Sequence, residues 1–268
     1  MDDLALPIKE VLTWLTTEQA QGPEQTVDGL KAGDETAVVN GIAVAFMATH
    51  SVISQAATLD ANLLITHEGL YFSHHDPADL DDLGPVYREK HKLIESSGLA
   101  VFRLHDYVHR YQPDGITEGL IQELGWEPYI VDRQPVSAIA EIPPMPLEEV
   151  ARQVKEKLDL PFVRAVGDPA MPCRRIGLLV GYRGGGGQAI PLFEREHLDL
   201  IIAGEGPEWE TPEYVRDACS QGRPKALLLL GHAQSEEPGM KLLAKRLKEK
   251  FADVPVHYIP GDPLFKWI

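Results

Sequence analysis

The stretch "NLLITHEGL" spans Asn62 to Leu70. Its apolar run, Leu63-Leu64-Ile65, has the length of a strand and is apolar on both faces, as a strand covered on both sides requires. His67 and Glu68 then arrive together, two metal-grade ligands where the strand ends. The chain around this stretch alternates in the same way. "GIAVAFMAT" (41–49) predicts another strand, and "SVISQAATLDA" (51–61) a helix with Ser51 near its N-cap. Residues 85–97 predict a helix stopped by Gly98, and "LAVFRL" (99–104) a third strand. Residues 117–124 predict a helix ended by Gly125. Earlier, Leu4, Ile8, Val11, Leu12 and Leu15 carry a helical period over 4–20. Strands alternating with helices predict an α/β fold with mostly parallel sheets.

The second half repeats the theme with a break. Between 132 and 147 the sequence "DRQPVSAIAEIPPMP" has no strong period. A helix over 147–158 follows. "RIGLLVG" (175–181), "HLDLIIAGE" (197–205) and "KALLLLGH" (225–232) read as strands, with a helix over 238–251 and a last strand at "VHYIP". "DANLLITHEG" and "HLDLIIAGEG" share one pattern. Duplication and convergence on one structural demand both account for it.

Net charge is −16, from 25 Lys and Arg against 41 Asp and Glu. This argues against a nucleic-acid partner, which needs a basic face, and suits cations. Cys173 and Cys219 form no CxxC pair or disulfide framework, which fits a reducing, cytoplasmic setting. The start, "MDDLALPIKEVLTWL", is acidic and amphipathic, unlike a signal peptide. No apolar run approaches the roughly 20 residues that cross a bilayer, so no membrane partner is expected.

Three strand ends carry candidate ligands. One bears His67-Glu68. One bears His105-Asp106, with His109 four residues beyond His105. One bears His232, with Glu236 four residues on. In a parallel sheet the carboxyl ends of the strands share an edge where ligands bind, so three such ends are expected to converge. On a helical turn, positions i and i+4 share a face, so His232 and Glu236 can grip one ion. Imidazole and carboxylate suit zinc, manganese or iron. His105 is open to two readings, as a group orienting a ligand or as a structural hydrogen-bonding residue. His74 and His75 read as part of a solvated loop. The glycines Gly184–Gly187 can expose backbone N–H groups to an anion, or form a flexible loop; the G-x-x-x-x-G-K-[ST] signature is missing. Glu205 is a possible general acid or base, with a surface or capping role as the alternative.

Taken together, these motifs resemble the YbgI-like, Nif-three-like dinuclear-metal proteins, whose members often carry the name GTP cyclohydrolase I type 2. The similarity runs through "VDGLKAGD" (27–34), "ATHSVISQAATLDANLLITHEGLYF" (48–72), "LHDYVH" (104–109), "VGYRGGGG" (180–187) with "LDLIIAGEG" (198–206), and "GHAQSE" (231–236). At two positions the chain departs from the family pattern. Glu68 stands where the family has the second His of a T-H-H pair, and His109 where it has an Asp. The inventory is kept: His67, His109 and His232 with Glu68 and Glu236. Bridging between two ions then falls to Glu68, Glu236 or Asp106.

The resemblance implies two divalent ions per chain bound by His67, Glu68, His109, His232 and Glu236. It implies a metal-binding lobe over 1–130 and 223–268, with a second α/β lobe over 131–222 inserted into it. It also implies a toroidal homohexamer. The expected activity is a metal-dependent hydrolase acting on a small molecule through metal-bound hydroxide. No G-x-S-x-G elbow offers a rival nucleophile. The other reading is a non-catalytic metal-binding scaffold or regulatory protein.

Overall fold

A computed structural model describes residues 6–18, 22–75, 77 and 84–266. The chain divides into two compact units. The first takes the chain up to Gly115 and again from Met240 to Leu264; the second takes Ile116–Gly239.

In the first unit, helix α1 (Ile8–Thr13) runs into a π-helical turn at Trp14–Glu18. The remainder of the period expected over 4–20 lies outside the described residues. Strands β1 (Gly29–Ala32), β2 (Ile42–Ala45), β3 (Leu63–Thr66) and β4 (Ala100–Arg103) follow, with helix α2 (His50–Thr58) between β2 and β3 and helix α3 (Pro85–Ser97) between β3 and β4. The short helix α4 (Asp106–His109) begins just past β4. Strand β11 (Val256–Tyr258) completes a sheet of order β1-β4-β3-β2-β11. Only β1 runs antiparallel to its neighbour. Every residue of β2, β3 and β4 is buried, as expected for strands covered on both faces. Helix α2 is capped by Thr49, two residues before Ser51: the Thr49 hydroxyl accepts the Val52 N–H at 3.1 Å. Gly98 ends α3 with φ 67°, the left-handed conformation that glycine adopts without penalty.

The second unit contains helix α5 (from Gly115 to Leu124), strands β5 (Ile130–Gln134) and β6 (Ser137–Pro146), helix α6 (Leu147–Lys157), strands β7 (Arg164–Val166) and β8 (Pro172–Leu179), helix α7 (Gly186–Arg195), strand β9 (Leu200–Ala203), helix α8 (Thr211–Ser220) and strand β10 (Ala226–Leu229). Helix α9 (His232–Lys250) begins here, and the chain re-enters the first unit along it. The sheet order is β5-β6-β8-β9-β10-β7.

Three features differ from the sequence reading. The segment over 132–147 is an antiparallel hairpin, β5 with β6, and β6 continues antiparallel to β8. The second sheet is therefore mixed rather than mostly parallel, with only the β8-β9 and β9-β10 pairs parallel. The unit borders fall at 115/116 and 239/240, where the sequence suggested 130/131 and 222/223. Strand β10 explains the second shift: it lies in register with β9, Ala226 opposite Leu200 and Leu229 opposite Ala203. Among the described residues, no helix is long and apolar enough to cross a membrane.

The first core packs Ala43, Val52, Ile53, Leu64, Ile94 and Val101 together. Leu64 is fully buried. Leu64→Ala is expected to lower unfolding stability by about 2–5 kcal/mol, from lost transfer energy plus the cavity left behind. Urea titration followed by circular dichroism measures this; a loss under about 1 kcal/mol would mean the site collapses freely.

Candidate metal centre

The parallel register of the first sheet brings two strand ends side by side. Ile65 lies opposite Phe102 and Thr66 opposite Arg103. One step beyond the ladder, the His67 Nδ1 meets the Leu104 carbonyl at 3.1 Å, and the His67 and His105 rings stack with centroids 4.7 Å apart. His109, one helical turn past His105, brings its ring to 5.0 Å from His67 and 5.2 Å from His105. The three imidazoles each offer a donor atom within 4.8 Å of the others.

The start of α4 is held by a residue far back in the chain. The Asp28 carboxylate accepts the backbone N–H groups of His105, Asp106 and Tyr107 at 2.7, 2.9 and 2.9 Å. It acts as the cap of a helix to which it does not belong. Burial raises the Asp28 pKa against the pull of those three hydrogen bonds. No local period marks Asp28 as a cap, because the N–H groups it accepts lie 77 to 79 residues on; the similarity of "VDGLKAGD" to a family segment is the available signal.

Each imidazole nitrogen Nδ1 faces an oxygen. His67 faces the Leu104 carbonyl, His105 faces Asp106 Oδ1 at 2.9 Å, and His109 faces both Asp114 oxygens at 3.2 Å. In the neutral ring this places the proton on Nδ1 and the lone pair on Nε2, the arrangement that metal-binding histidines share. Burial first, then the neighbouring His67 and His109, lower the His105 pKa to about 4. Burial works against ionisation of Asp106, yet hydrogen bonds from His105, the Val27 N–H and the Thr26 hydroxyl hold it at about 2. A neutral imidazole facing an ionised carboxylate results at pH 7.

Glu68 is gripped by Arg103, a fully buried residue of β4. The guanidinium donates from Nη2 to Glu68 Oε2 at 3.1 Å, from Nε to the His67 carbonyl at 3.3 Å, and from Nη1 to the His74 carbonyl at 2.6 Å. That last bond ties the backbone of the loop to β4, while His74 itself stays exposed. Glu68, His74 and His105 form a second group with donor atoms within 4.8 Å of one another. Periodicity gives no hint of this group, because the bond that holds the loop comes from a residue 29 positions away.

The second unit brings together His232, Glu236 and Glu205. His232 opens α9, and its Nδ1 lies 2.8 Å from Glu205 Oε1. Its Nε2 lies 3.1 Å from Glu236 Oε2. A neutral ring that gives its proton to Glu205 sets a lone pair against a carboxylate oxygen at that distance, so positive charge, a proton or a metal ion, is required there. Glycine lets the pair sit so deep: Gly181 has φ 61°, and a Cβ on it would overlap Glu236 Oε1. Glu205, a partly exposed carboxylate, thus touches a candidate ligand directly. His67 and His105 extend the first sheet, whereas His232 follows β10 of the second.

The glycine run is not a phosphate loop. Gly181–Gly184 form a 3-10 turn, and Gly185 precedes α7. The Gly186 N–H, where an anion would dock, donates to Glu210 Oε2 at 2.6 Å.

The family profile described as Duf34/NIF3 (NGG1p interacting factor 3) matches residues 8–263. The chain belongs to the DUF34/NIF3 family. A Clostridium acetobutylicum protein named GTP cyclohydrolase 1 type 2 homolog is 25% identical over 229 residues, covering 82% of this chain and 81% of its own. A Pyrococcus abyssi protein of the same name is 26% identical over 237 residues, covering 85% and 87%. A Bacillus cereus protein related to NIF3 superposes with a TM-score of 0.78 at 15% identity, covering 98% of this chain and 100% of its own. That last likeness bears on fold alone.

Within this DUF34/NIF3 chain, Glu205 orients His232 and is not itself on the expected ligand list. Partners of this kind typically change metal affinity about 10–100-fold when removed. Glu205→Gln is expected to weaken metal binding by about that factor, read by competition with a chromogenic chelator. An unchanged affinity would show that His232 needs no such support.

Proposed function

We propose that this DUF34/NIF3 protein binds two divalent ions per chain, zinc, manganese or iron, and is a metal-dependent hydrolase. One observation carries the proposal: the four histidines His67, His105, His109 and His232 all turn Nδ1 to an oxygen acceptor. Scattered surface histidines have no reason to share that orientation, and metal ligands do. Three of the four cluster in the first unit. Glu68 beside them and Glu236 beside His232 supply the carboxylates that hard or borderline divalent ions take. The ligand set proposed is therefore His67, Glu68, His109, His232 and Glu236, with His105 added.

A divalent ion, when bound, supplies a Lewis acid that polarises a carbonyl or phosphoryl oxygen and acidifies water. The chain's own part is positioning. Asp28 fixes the helix that carries His109. Asp106, Asp114 and Glu205 hold imidazoles in the ligating tautomer. Arg103 limits the swing of Glu68 by pairing with it. GTP is the first substrate to try, because the curated relatives carry the name GTP cyclohydrolase 1 type 2 homolog. The proposal includes a cytoplasmic homohexamer, supported by the family resemblance, and multi-angle light scattering tests it directly.

The decisive experiment is elemental. Protein purified without a histidine tag or chelator is digested and its metals counted by plasma mass spectrometry, beside His67→Ala and His232→Ala. About two transition-metal ions per chain are expected in the parent, as in two-metal hydrolases, with fewer in each variant. No metal in the parent, even after incubation with zinc, manganese or iron, would sink the proposal. Full metal content with no turnover of GTP or other ring-amide and phosphoester substrates would favour the scaffold reading.

A further inference from the structure

One cavity of the first unit contains none of the candidate ligands. Its volume is about 480 Å³, and Met47, Phe72, Pro85 and Val86 make its walls. Phe72 and Val86 are 54% and 65% exposed, so this apolar lining stands in water. Lys90 also borders the cavity, but it is 4% exposed with its ammonium sealed from solvent, and so brings no charge to the opening. Such a hollow favours an apolar guest over an ionic one.

The same chain carries an apolar segment that nothing covers. Past β11, Leu264 and Phe265 are 78% and 68% exposed, and Leu264 is the most exposed large apolar side chain among the described residues. The segment is rooted beside the cavity. The Ile259 N–H donates to the Val44 carbonyl at 2.9 Å, β11 runs parallel to β2, and the wall residue Met47 lies three positions past Val44. Yet the segment does not fill the cavity next to its root. Pro260 and Pro263 fix their own φ and keep Ile259 and Asp262 extended, and no turn or helix forms over 259–263. The result is a stiff arm with an oily tip, turned away from its own cavity. From Ile259 to Leu264 it spans up to about 17 Å. Charge matches as well: Glu89 lines the cavity in solvent, and Lys266 follows Phe265 on the arm.

We propose that the cavity receives Leu264 and Phe265 from the arm of a second copy of this chain. Two copies that exchange arms close a symmetric pair in which each fills the other's cavity, a route to association that uses an element both already possess. The two aromatic and aliphatic tips leave water, and so do Phe72 and Val86. The contact depends neither on metal nor on the number of copies in the full assembly.

The first test is covalent. Val86→Cys and Leu264→Cys are combined with Cys219→Ser, which leaves Cys173 buried as the other thiol. After mild oxidation, the combined variant is expected to run on a non-reducing gel as chains linked to each other, and neither single-cysteine variant is. A single chain with an internal disulfide would place the arm in its own cavity, and absence of any disulfide would leave arm and cavity unrelated; both results overturn the proposal. The second test reads affinity by sedimentation velocity over a dilution series. Leu264→Ser/Phe265→Ser spoils the arm, and Val86→Arg, at an exposed position that does not threaten folding, spoils the cavity. Each is expected to weaken self-association at least about tenfold, since each removes apolar burial at both contacts. The two variants mixed are expected to bind each other more tightly than either binds itself, because one supplies a sound cavity and the other a sound arm. Self-association unchanged in both variants, or a mixture no tighter than its components, would overturn the proposal.

Discussion

The parallel pairing of β3 with β4 is the constraint on which the histidine cluster depends. With Thr66 opposite Arg103, the next residues of both strands leave the ladder together. His67 then reaches the Leu104 carbonyl and stacks on His105. A slip of one residue would move one strand end by about 3.3 Å. Metal–nitrogen bonds are about 2.0–2.1 Å long, so such a slip destroys the cluster. The register is secured by oil rather than by the polar residues that benefit from it: Leu63, Leu64, Ile65 and Val101 are all fully buried.

Around that register, charge is layered with care. Arg103 brings a guanidinium into the core and spends its donors on Glu68 and two carbonyls that frame the site. Asp28 brings a carboxylate into the same region and spends its acceptors on three N–H groups. Each buried charge is fully engaged with partners that would otherwise be stranded. This is why removing either partner of such a pair is far more damaging than the net worth of the pair suggests.

The apolar strands β2, β3, β4, β8, β9, β10 and β11, most of the helices and the strand-end histidines were legible because each rests on local sequence: apolar runs of strand length, helical spacing, a glycine stop at Gly98. What stayed hidden depends on distance along the chain. The prolines at 135, 143, 144 and 146 disguised the β5–β6 hairpin, which survives because β5 is an edge strand and the last three prolines fall at or past its bulged stretch. The run "ALLL" of β10 suits either sheet, and only its pairing with β9 decides the matter. His74 and Asp28 are loop residues whose partners, Arg103 and the start of α4, lie far along the chain. Glu205 was visible as a polar strand end, yet its partner His232 lies 27 residues on. Lys90 could not be told from a surface lysine, since its neighbours on α3, Glu89 and Lys92, are exposed and paired with each other.

The place of β11 has a consequence for biosynthesis. Strand β2 is flanked by β3 on one side and by β11 on the other, and β11 is built from Val256–Tyr258. A ribosome adding roughly 5–20 residues per second makes β11 some ten to forty seconds after β2. Throughout that interval the apolar strand Ile42–Ala45 has an unpaired edge, and before it ends every strand of the second sheet has been made. The nascent chain therefore finishes the sheet beneath its histidine cluster last, and it is in that window that a chaperone would be of most use to it.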